Sequence, residues 1–208
     1  NPAQRSLAAW AVVGLGTAAA TPDTVSALAQ LLMDGNPVLR HDAAVAVESL
    51  GPAAATPQVV SALAQILTDE GGYGLCAAAE AVGSLGPAAA RPDILSALVR
   101  LMEHENSGVR AAAAGAVGCL GVAAVIPDVL SGLGRAMADG NAPSYLLYFA
   151  TKSVGQLGAA AATPEVLRAL ARLATDEEWT VRYRARWTVE RLGAAAATPD
   201  FLAVLTRL

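Results

Sequence analysis

The sequence contains few charged residues, few aromatic residues and almost no lysine. Charged residues make up 15% of the 208 residues and aromatic residues 4%, and Lys152 is the only lysine beside thirteen arginines. The formal net charge of −4 provides no general attraction to nucleic acid. The charge balance therefore favours no particular class of partner.

Cysteine usage and hydrophobic runs exclude two further classes. Cys76 and Cys119 lie far apart without a CxxC spacing, so neither a disulfide framework nor a zinc site is indicated, and we expect free thiols. Hydrophobic residues reach 54%, but alanine supplies much of that share, and no uninterrupted apolar run approaches the roughly 18 residues of a membrane span. We therefore expect a soluble chain with no membrane partner.

Internal repetition is the dominant feature of the sequence. One copy reads AATPEVLRALARLATDEEWTVRYRARWTVERLG, from Ala161 to Gly193. The proline near the start of each copy recurs at Pro22, Pro57, Pro92, Pro127, Pro164 and Pro199, and the glycine that closes each copy recurs at Gly16, Gly51, Gly86, Gly121, Gly158 and Gly193. The period is 35 residues, with one copy of 37.

Each copy predicts two helices, which we name A and B. Thr-Pro-Glu at 163–165 is a helix start, because the hydroxyl caps the helix, proline suits its first position and the acid lies near the positive end of the dipole. Apolar residues follow at spacings of three and four, as in Leu28, Leu31 and Leu32. The pattern breaks near Asp34, the A/B turn, and resumes as helix B, which the closing glycine ends in a left-handed conformation.

A helical hairpin of this size cannot bury its apolar face alone, so successive hairpins must stack into a solenoid. We predict an all-α fold of about twelve antiparallel helices that forms one domain over residues 1–208. Its parts are an isolated helix B at 1–16, full repeats at 21–51, 56–86, 91–121, 126–158 and 163–193, and an isolated helix A at 198–208.

Aligning the copies on the closing glycine separates constant positions from variable ones. Four residues before that glycine every copy has valine, and eight residues before it every copy has alanine. We interpret these two columns as core, and the alanines as places where helices approach closely.

The face of helix B opposite the core is variable and carries most of the aromatic residues. On the last helix B, Trp179, Tyr183, Trp187 and Arg191 are spaced by four and share one face. Tyrosine and tryptophan offer large, rigid contact areas and are typical interface anchors. The candidate partner-binding residues are Trp10, His41, Tyr73, Tyr145, Tyr148, Phe149, Lys152, Trp179, Tyr183, Arg184, Trp187 and Arg191. We expect the aromatic members on the last two B helices to be exposed and to form one patch.

These features resemble bacterial HEAT-like repeats of the phycobilisome-lyase type. The resemblance rests on VRAAAAGAVGCLG at 109–121, on an acid in the A/B turn and on an arginine near the start of helix B, and it covers essentially the whole chain. It implies a right-handed alpha-alpha superhelix whose B helices line the concave side, with the variable columns in its binding groove. The pattern also resembles alpha-helicoidal binders designed from such repeats.

Two kinds of site are weakly indicated. His41-Asp42 resembles the His-Glu dyads with which deoxyhypusine hydroxylase, another HEAT-repeat protein, holds iron, but the equivalent positions elsewhere cannot complete a metal shell, so we expect no metal. Arg184, Arg186 and Arg191 interleave with aromatic residues as in surfaces that bind nucleic acid. Acidic neighbours and the scarcity of positive charge elsewhere argue against a phosphate-tracking surface.

The sequence shows no base beside a nucleophile, no paired carboxylates and no phosphate-binding glycine loop that would indicate an enzyme. We therefore expect a non-catalytic scaffold without a cofactor that recognises a protein or peptide through an aromatic-rich concave face. One alternative is a ligand-handling enzyme of the phycobilin-lyase type. Another is a structural or regulatory array attached to a catalytic domain.

The ends of the chain suggest a piece of a longer cytoplasmic protein. No signal peptide or initiating methionine is present, and Asn1-Pro2 aligns with Asn36-Pro37 in the middle of a repeat. An isolated helix at each end should expose core residues such as Phe201 and Leu202. Because the two helices are halves of one hairpin, we expect either continuation of the array or end-to-end self-association.

Turn acids and early arginines of helix B vary together between neighbouring copies. Arg5 goes with Asp34 and Arg40 with Asp69, whereas Leu75 goes with His104, which stands at the position of the turn acid in the next copy. Arg110 matches Asp139 in the same way, and Leu147 beside Asp176 is the exception. We therefore hypothesise that each arginine bridges forward to the acid of the next repeat.

Overall fold

The computed structural model describes residues 1–69 and 73–205, and this part of the chain contains twelve α-helices and no strand. The helices are α1 (Pro2–Leu15), α2 (Pro22–Leu32), α3 (Pro37–Leu50), α4 (Pro57–Thr68), α5 (Leu75–Leu85), α6 (Pro92–Leu101), α7 (Ser107–Leu120), α8 (Pro127–Ala138), α9 (Ser144–Leu157), α10 (Pro164–Leu173), α11 (Trp179–Leu192) and α12 (Pro199–Leu205). Odd-numbered helices are the predicted B helices and even-numbered helices the predicted A helices. The predicted end of the last helix, residues 206–208, lies outside the described residues.

The A helices begin as the sequence predicts. Thr21, Thr56 and Thr163 each accept a hydrogen bond from the backbone N–H three residues later, and each is followed by proline. Arg91 and Ile126 occupy the same position in two other copies and form no such cap. The threonine cap is therefore a common but dispensable part of the repeat.

The closing glycines have the predicted positive φ but not a left-handed helical ψ. Gly51 has φ 57° and ψ −142°, and Gly86 has φ 67° and ψ −154°. Essentially only glycine adopts backbone angles close to these. The chain then forms one short 3-10 segment, Gly51–Ala54 or Gly86–Ala89, before the next helix A.

The two extra residues of the 37-residue copy lie between the start of its helix A at Pro127 and the start of its helix B at Ser144. Helix α8 has twelve residues, as α4 does, whereas α6 and α10 have ten, and a five-residue turn at 139–143 leads into α9. The added length is absorbed before helix B begins, so α9 and α7 both have fourteen residues.

The helices form two layers with the core between them. Consecutive B helices pack on one another to form the B layer, consecutive A helices form the A layer, and within each full repeat helix A packs on helix B. The predicted core columns are confirmed in the full repeats, where Ala78, Val82, Ala113 and Val117 are fully buried. Ala8 of α1 differs and is exposed, because α1 packs against only one other B helix, α3.

Consecutive B helices lie closest together at glycine positions. A Cβ atom added to Gly83 of α5 would lie 3.1 Å from the Cα atom of Ala116. One added to Gly118 of α7 would lie only 2.8 Å from the Cα atom of Ser153. Across this second contact the Ser153 hydroxyl donates to the carbonyl of Ala114 at 2.7 Å. The B layer is thus a tightly packed row in which the absence of side chains sets the spacing.

The two ends of the chain differ from each other. Leu7 and Leu15 of α1 are 71% and 64% exposed, as expected for an uncovered helix B. Phe201 of α12, which was expected to be exposed, is buried beside Leu167 and Ala171 of α10, whereas Leu202 is half exposed. The prediction of exposed core residues is therefore correct for α1 and wrong for Phe201.

One segment has the length and composition of a membrane span. Residues Ser107–Ala124 have a mean hydropathy of 1.4, although Arg110 interrupts the apolar run. By mean hydropathy the segment qualifies as a candidate span, although it is not an uninterrupted apolar run. The structure buries 56% of this segment, and α7 packs between α5 and α9. Its place in the centre of the B layer explains its apolar composition.

The predicted forward bridges between repeats are confirmed by three ion pairs. Arg5 contacts Asp34 at 2.5 Å and Arg40 contacts Asp69 at 3.2 Å. Arg110 lies 3.9 Å from Asp139, a looser pair. Such partly exposed pairs contribute only about 0–1 kcal/mol each, so they serve mainly to fix the register of neighbouring repeats.

The same arginines have a second role that the sequence did not reveal. Arg110 donates to the carbonyl oxygens of His104 and Glu105 in its own A/B turn, at 2.9 and 3.1 Å. Arg182 makes the same two contacts with the carbonyls of Asp176 and Glu177. Arg40, Arg110 and Arg182 therefore close the turns of their own repeats, and Arg40 and Arg110 also reach the next repeat.

A different contact is found where the forward bridge is missing. Leu147 replaces the arginine in α9, and Asp176 in the next turn forms no salt bridge among the described residues. At this junction the Ser144 hydroxyl donates to the carboxylate of Glu178 at 2.5 Å. A hydrogen bond thus links the two repeats in place of the ion pair.

We expect Gly118→Ala to destabilise the fold by about 1–3 kcal/mol, because the added methyl group meets the backbone of Ser153 and forces α7 and α9 apart. Urea denaturation followed by circular dichroism measures the change. Gly14→Ala in α1 is the control, since nothing lies within 4 Å of the added Cβ atom and alanine is favoured over glycine in a helix. Equal stability of the two variants would contradict the packing argument.

We also expect Arg110→Leu to cost more stability than Asp139→Asn. The first variant leaves two turn carbonyls without their donor and should cost about 1–2 kcal/mol. The second removes only the charge of a loose pair and should cost about 0–1 kcal/mol. Equilibrium denaturation measures the free energy of unfolding of both variants. If Asp139→Asn costs as much stability as Arg110→Leu, the turn contacts do not contribute to stability.

Candidate functional site

The variable face of the B layer carries an exposed aromatic cluster on its last two helices. We define this cluster as Tyr145, Tyr148 and Phe149 of α9 with Trp179, Tyr183 and Trp187 of α11. Trp179 is 65% exposed, Tyr183 55% and Tyr145 46%, while the other three are half-buried. The predicted exposure is thus found for half of the cluster.

Cationic side chains connect the two helices of the cluster. The Arg184 guanidinium of α11 lies 4.2 Å from the ring centre of Tyr148 on α9, and the Lys152 ammonium lies 6.0 Å from the same ring. Tyr148 also meets Phe149 edge to face, with ring centres 5.2 Å apart. Cation–π contacts of this kind contribute about 0.5–1 kcal/mol at exposed sites.

A cavity of about 350 Å³ opens between the first halves of α9 and α11. Tyr145, Tyr148 and Arg184, three of the candidate binding residues, lie on its wall. Sequence reasoning missed its remaining lining residues, Ser144, Leu147, Thr151, Thr180 and Val181. Their small or aliphatic side chains gave no chemical signal, and only their positions one turn away from the aromatic residues could have indicated them.

Phe149 and Trp187 are half-buried because each lies over a glycine of the preceding B helix. A Cβ atom on Gly115 would be 3.0 Å from the Phe149 ring, and one on Gly155 would be 2.7 Å from the Trp187 ring. Arg191 lies 5.3 Å from the ring centre of Trp187 and covers its outer face. These two aromatic side chains therefore pack within the array and are less available to a partner than expected.

The candidate residues of the first repeats form a separate group. His41 of α3 and Tyr73, which precedes α5, lie with ring centres 5.6 Å apart. Trp10 is 50% exposed on α1. Helix α7, which bears Ala111, Gly115 and Cys119 in the corresponding columns, lies between this group and the aromatic cluster. The predicted residues thus occupy two regions of one face.

The His41-Asp42 dyad has a structural explanation. Asp42 is buried, and its carboxylate accepts a hydrogen bond from the Ser6 hydroxyl of α1 at 2.5 Å. In residues 1–69 and 73–205, no three His, Cys, Asp or Glu side chains cluster closely enough to hold a metal ion. The dyad therefore joins α1 to α3.

The pKa values of two carboxyl groups near the A/B turns are lowered, whereas that of one carboxyl group on the B layer is raised. A backbone hydrogen bond from Asn36 and the contact with Arg5 lower the pKa of Asp34, and hydrogen bonds from Ser144 and Thr180 lower the pKa of Glu178. The pKa of Glu80 is raised, first by loss of hydration between α3 and α5 and then by repulsion from Glu48.

The Cys76 thiol is not activated. Partial burial raises its pKa, and the nearby Glu80 carboxylate raises it further. Because the thiolate is the reactive form, these surroundings disfavour nucleophilic chemistry at neutral pH.

A larger groove lies on the other layer. It encloses about 910 Å³ between α2 and α4, and Val25, Ala29, Met33 and Ala62 form part of its apolar lining. In later repeats an arginine crosses between A helices, as where Arg100 donates to the carbonyl of Leu67. Gln65 occupies the equivalent position on α4, so no arginine fills the space between α2 and α4. The groove is therefore a variation in packing between A helices that the sequence did not indicate.

Part of this sequence matches a known family of helical repeats. Residues 60–146 match the family model of HEAT repeats. The matched range therefore consists of HEAT-like repeats. The 35-residue pattern continues on both sides of the matched range, so these HEAT-like repeats extend along the array. A comparison with curated proteins found no match.

Solved structures share the fold at low sequence identity. An engineered protein aligns over 94% of this chain and 92% of its own, with 17% identity and a TM-score of 0.72. A designed armadillo repeat protein in complex with the peptide (KR)4 aligns over 81% and 82%, with 17% identity and a TM-score of 0.68. Human deoxyhypusine hydroxylase aligns over 93% and 81%, with 16% identity and a TM-score of 0.50. At these identities the likeness shows the helical repeat fold alone.

We expect Trp187 and Gly155 to be coupled in stability. Trp187→Ala removes the ring that covers Gly155 and should cost about 1–3 kcal/mol, while Gly155→Ala pushes the ring outward and should cost about 1 kcal/mol. In the double variant the new methyl group fills part of the vacated space, so the combined cost should be smaller than the sum. Urea denaturation of the four proteins measures the coupling, and strictly additive costs would show that the ring does not pack on this glycine.

Proposed function

We propose that this HEAT-like array is a non-catalytic scaffold that binds a peptide or an extended segment of a protein on its B-layer face. The exposed aromatic cluster of α9 and α11, beside the 350 Å³ cavity, supports this proposal most directly. Trp179, Tyr183 and Tyr145 expose large rings that a monomeric protein has no folding reason to place together. Such rings become anchors when a partner excludes water from them.

The shape of the array supports the choice of this face. The B helices are more closely packed than the A helices, so the B layer is the shorter side of the array and should curve inward. A concave surface buries more of an extended ligand than a flat one, and solenoid repeats commonly bind partners in this way. The designed armadillo protein with a similar fold is described in complex with the basic peptide (KR)4.

The chemistry of the cluster favours a different peptide here. Lys152 and Arg184 flank Tyr148, and Arg191 lies over Trp187. A peptide bound to the cluster should therefore combine an aromatic or proline side chain with a carboxylate, because the rings accept the first and the cations pair with the second.

Trp179→Ala should weaken peptide binding without affecting the fold. Peptides are first selected on the wild-type protein from a random library displayed on phage, and their Kd values are then measured by fluorescence anisotropy. Since Trp179 is 65% exposed, its loss should leave helicity and the unfolding midpoint unchanged but cost at least about 1–2 kcal/mol of binding free energy.

The matched control is Val122→Ala, because Val122 is 80% exposed and lies in the 3-10 segment after α7, away from the cluster. Its Kd should equal that of the wild type. The proposal fails if no peptide is enriched, or if the enriched peptides bind Trp179→Ala and the wild type equally well.

A further inference from the structure

The B-layer face carries opposite charges at its two ends. Near its beginning, Glu48 of α3 and Glu80 of α5 are both exposed, on two B helices that pack directly against each other. Neither forms a salt bridge within residues 1–69 and 73–205. His41 of α3 favours the ionised form of Glu80, whereas Glu48 disfavours it. The two carboxylates thus lie on adjacent helices without a salt-bridge partner in this part of the chain.

The opposite end of the B-layer face carries cations that also form no salt bridge in the described residues. Lys152, Arg184 and Arg191 make ring contacts but no salt bridge in the described part of the chain. Their neighbours Arg186 and Glu190 do pair, at 2.9 Å, so acids are available in α11 but are directed elsewhere. Because these cations have no acidic partner in the described residues, a ligand of opposite charge pairs favourably with them.

The surface between the two ends carries small, uncharged side chains. On α7, Ala111, Gly115 and Cys119 face the same side, and Arg110 is occupied by its own turn and by Asp139. From α5 to α9 there are two helix spacings, roughly 16–20 Å at 8–10 Å each. At about 3.3 Å per residue, an extended peptide covers this distance with roughly five or six residues.

We propose that the B-layer face binds an extended peptide with separated charges, its basic end at Glu48 and Glu80 and its acidic end at Lys152, Arg184 and Arg191. This inference deepens the proposed function and depends on it. The small side chains of α7 let the uncharged middle of the peptide lie close to the helix. The order of charges along the face thus determines which peptides are recognised and in which direction they lie.

The test uses two synthetic, fluorescein-labelled peptides of identical composition. The block peptide has two lysines at one end, two glutamates at the other and about six uncharged residues, including one phenylalanine, between them. The interspersed peptide alternates the same charged residues along its length. Both are measured by anisotropy at low salt and pH 8, where the Glu80 carboxylate is ionised despite its raised pKa. The block peptide is made in both chain directions.

We expect one direction of the block peptide to bind at least about fivefold more tightly than the interspersed peptide, a preference that 1 M salt removes by screening. Glu80→Lys should abolish the preference. Glu103→Lys is the control, since it introduces the same change of charge at an exposed position beside Arg135 of the A layer and should leave the preference intact.

The outcomes separate this inference from the proposed function. Equal binding of the block and interspersed peptides, or a preference that survives Glu80→Lys, overturns the separation of charges. If both peptides bind equally and Trp179→Ala weakens both, the peptide-binding face remains and only its polarity is wrong. If neither peptide binds and library selection also yields no ligand, both proposals fail.

Discussion

Close packing of consecutive B helices is the constraint on which the rest of the structure depends. Gly83 and Gly118 permit backbone contacts that any side chain would prevent, and the fully buried alanine column continues this arrangement through the full repeats. Because each helical hairpin has too little apolar surface to be stable alone, stability comes from these interfaces between neighbours. The ion pairs between neighbouring repeats add little energy but hold the interfaces in register.

This packing also determines which surface residues are free to bind a partner. A glycine on one B helix leaves space that a bulky residue on the next B helix fills, as Phe149 does at Gly115 and Trp187 at Gly155. Trp179 and Tyr183 lie on the same helix as Trp187 but have no such space to fill, and they remain exposed. Aromatic residues that look equivalent in the sequence thus divide into packing residues and candidate anchors.

The sequence predicted features that recur in every copy better than features that depend on one pair of neighbours. The twelve helices, the core columns and the forward arginine bridges followed from comparing copies of the repeat, since each was sampled several times within one chain. The burial of Phe149 and Trp187, the Ser144–Glu178 contact and the groove at Gln65 each involve one junction. Such contacts depend on residues about 30–40 positions apart that occur once, so no internal comparison could reveal them.

The longer copy shows how such an array can change without being rebuilt. Its two extra residues lie between the starts of α8 and α9, on the side of the repeat that leads to Ser144 and Tyr145 at the rim of the cavity, while α9 keeps the length of its neighbour α7. Because a solenoid repeat contacts only the repeats beside it, such a change of length remains local. Evolution, or a protein engineer, can therefore reshape the entrance to this cavity through helix α8 and the turn that follows it, while the remaining repeats stay unchanged.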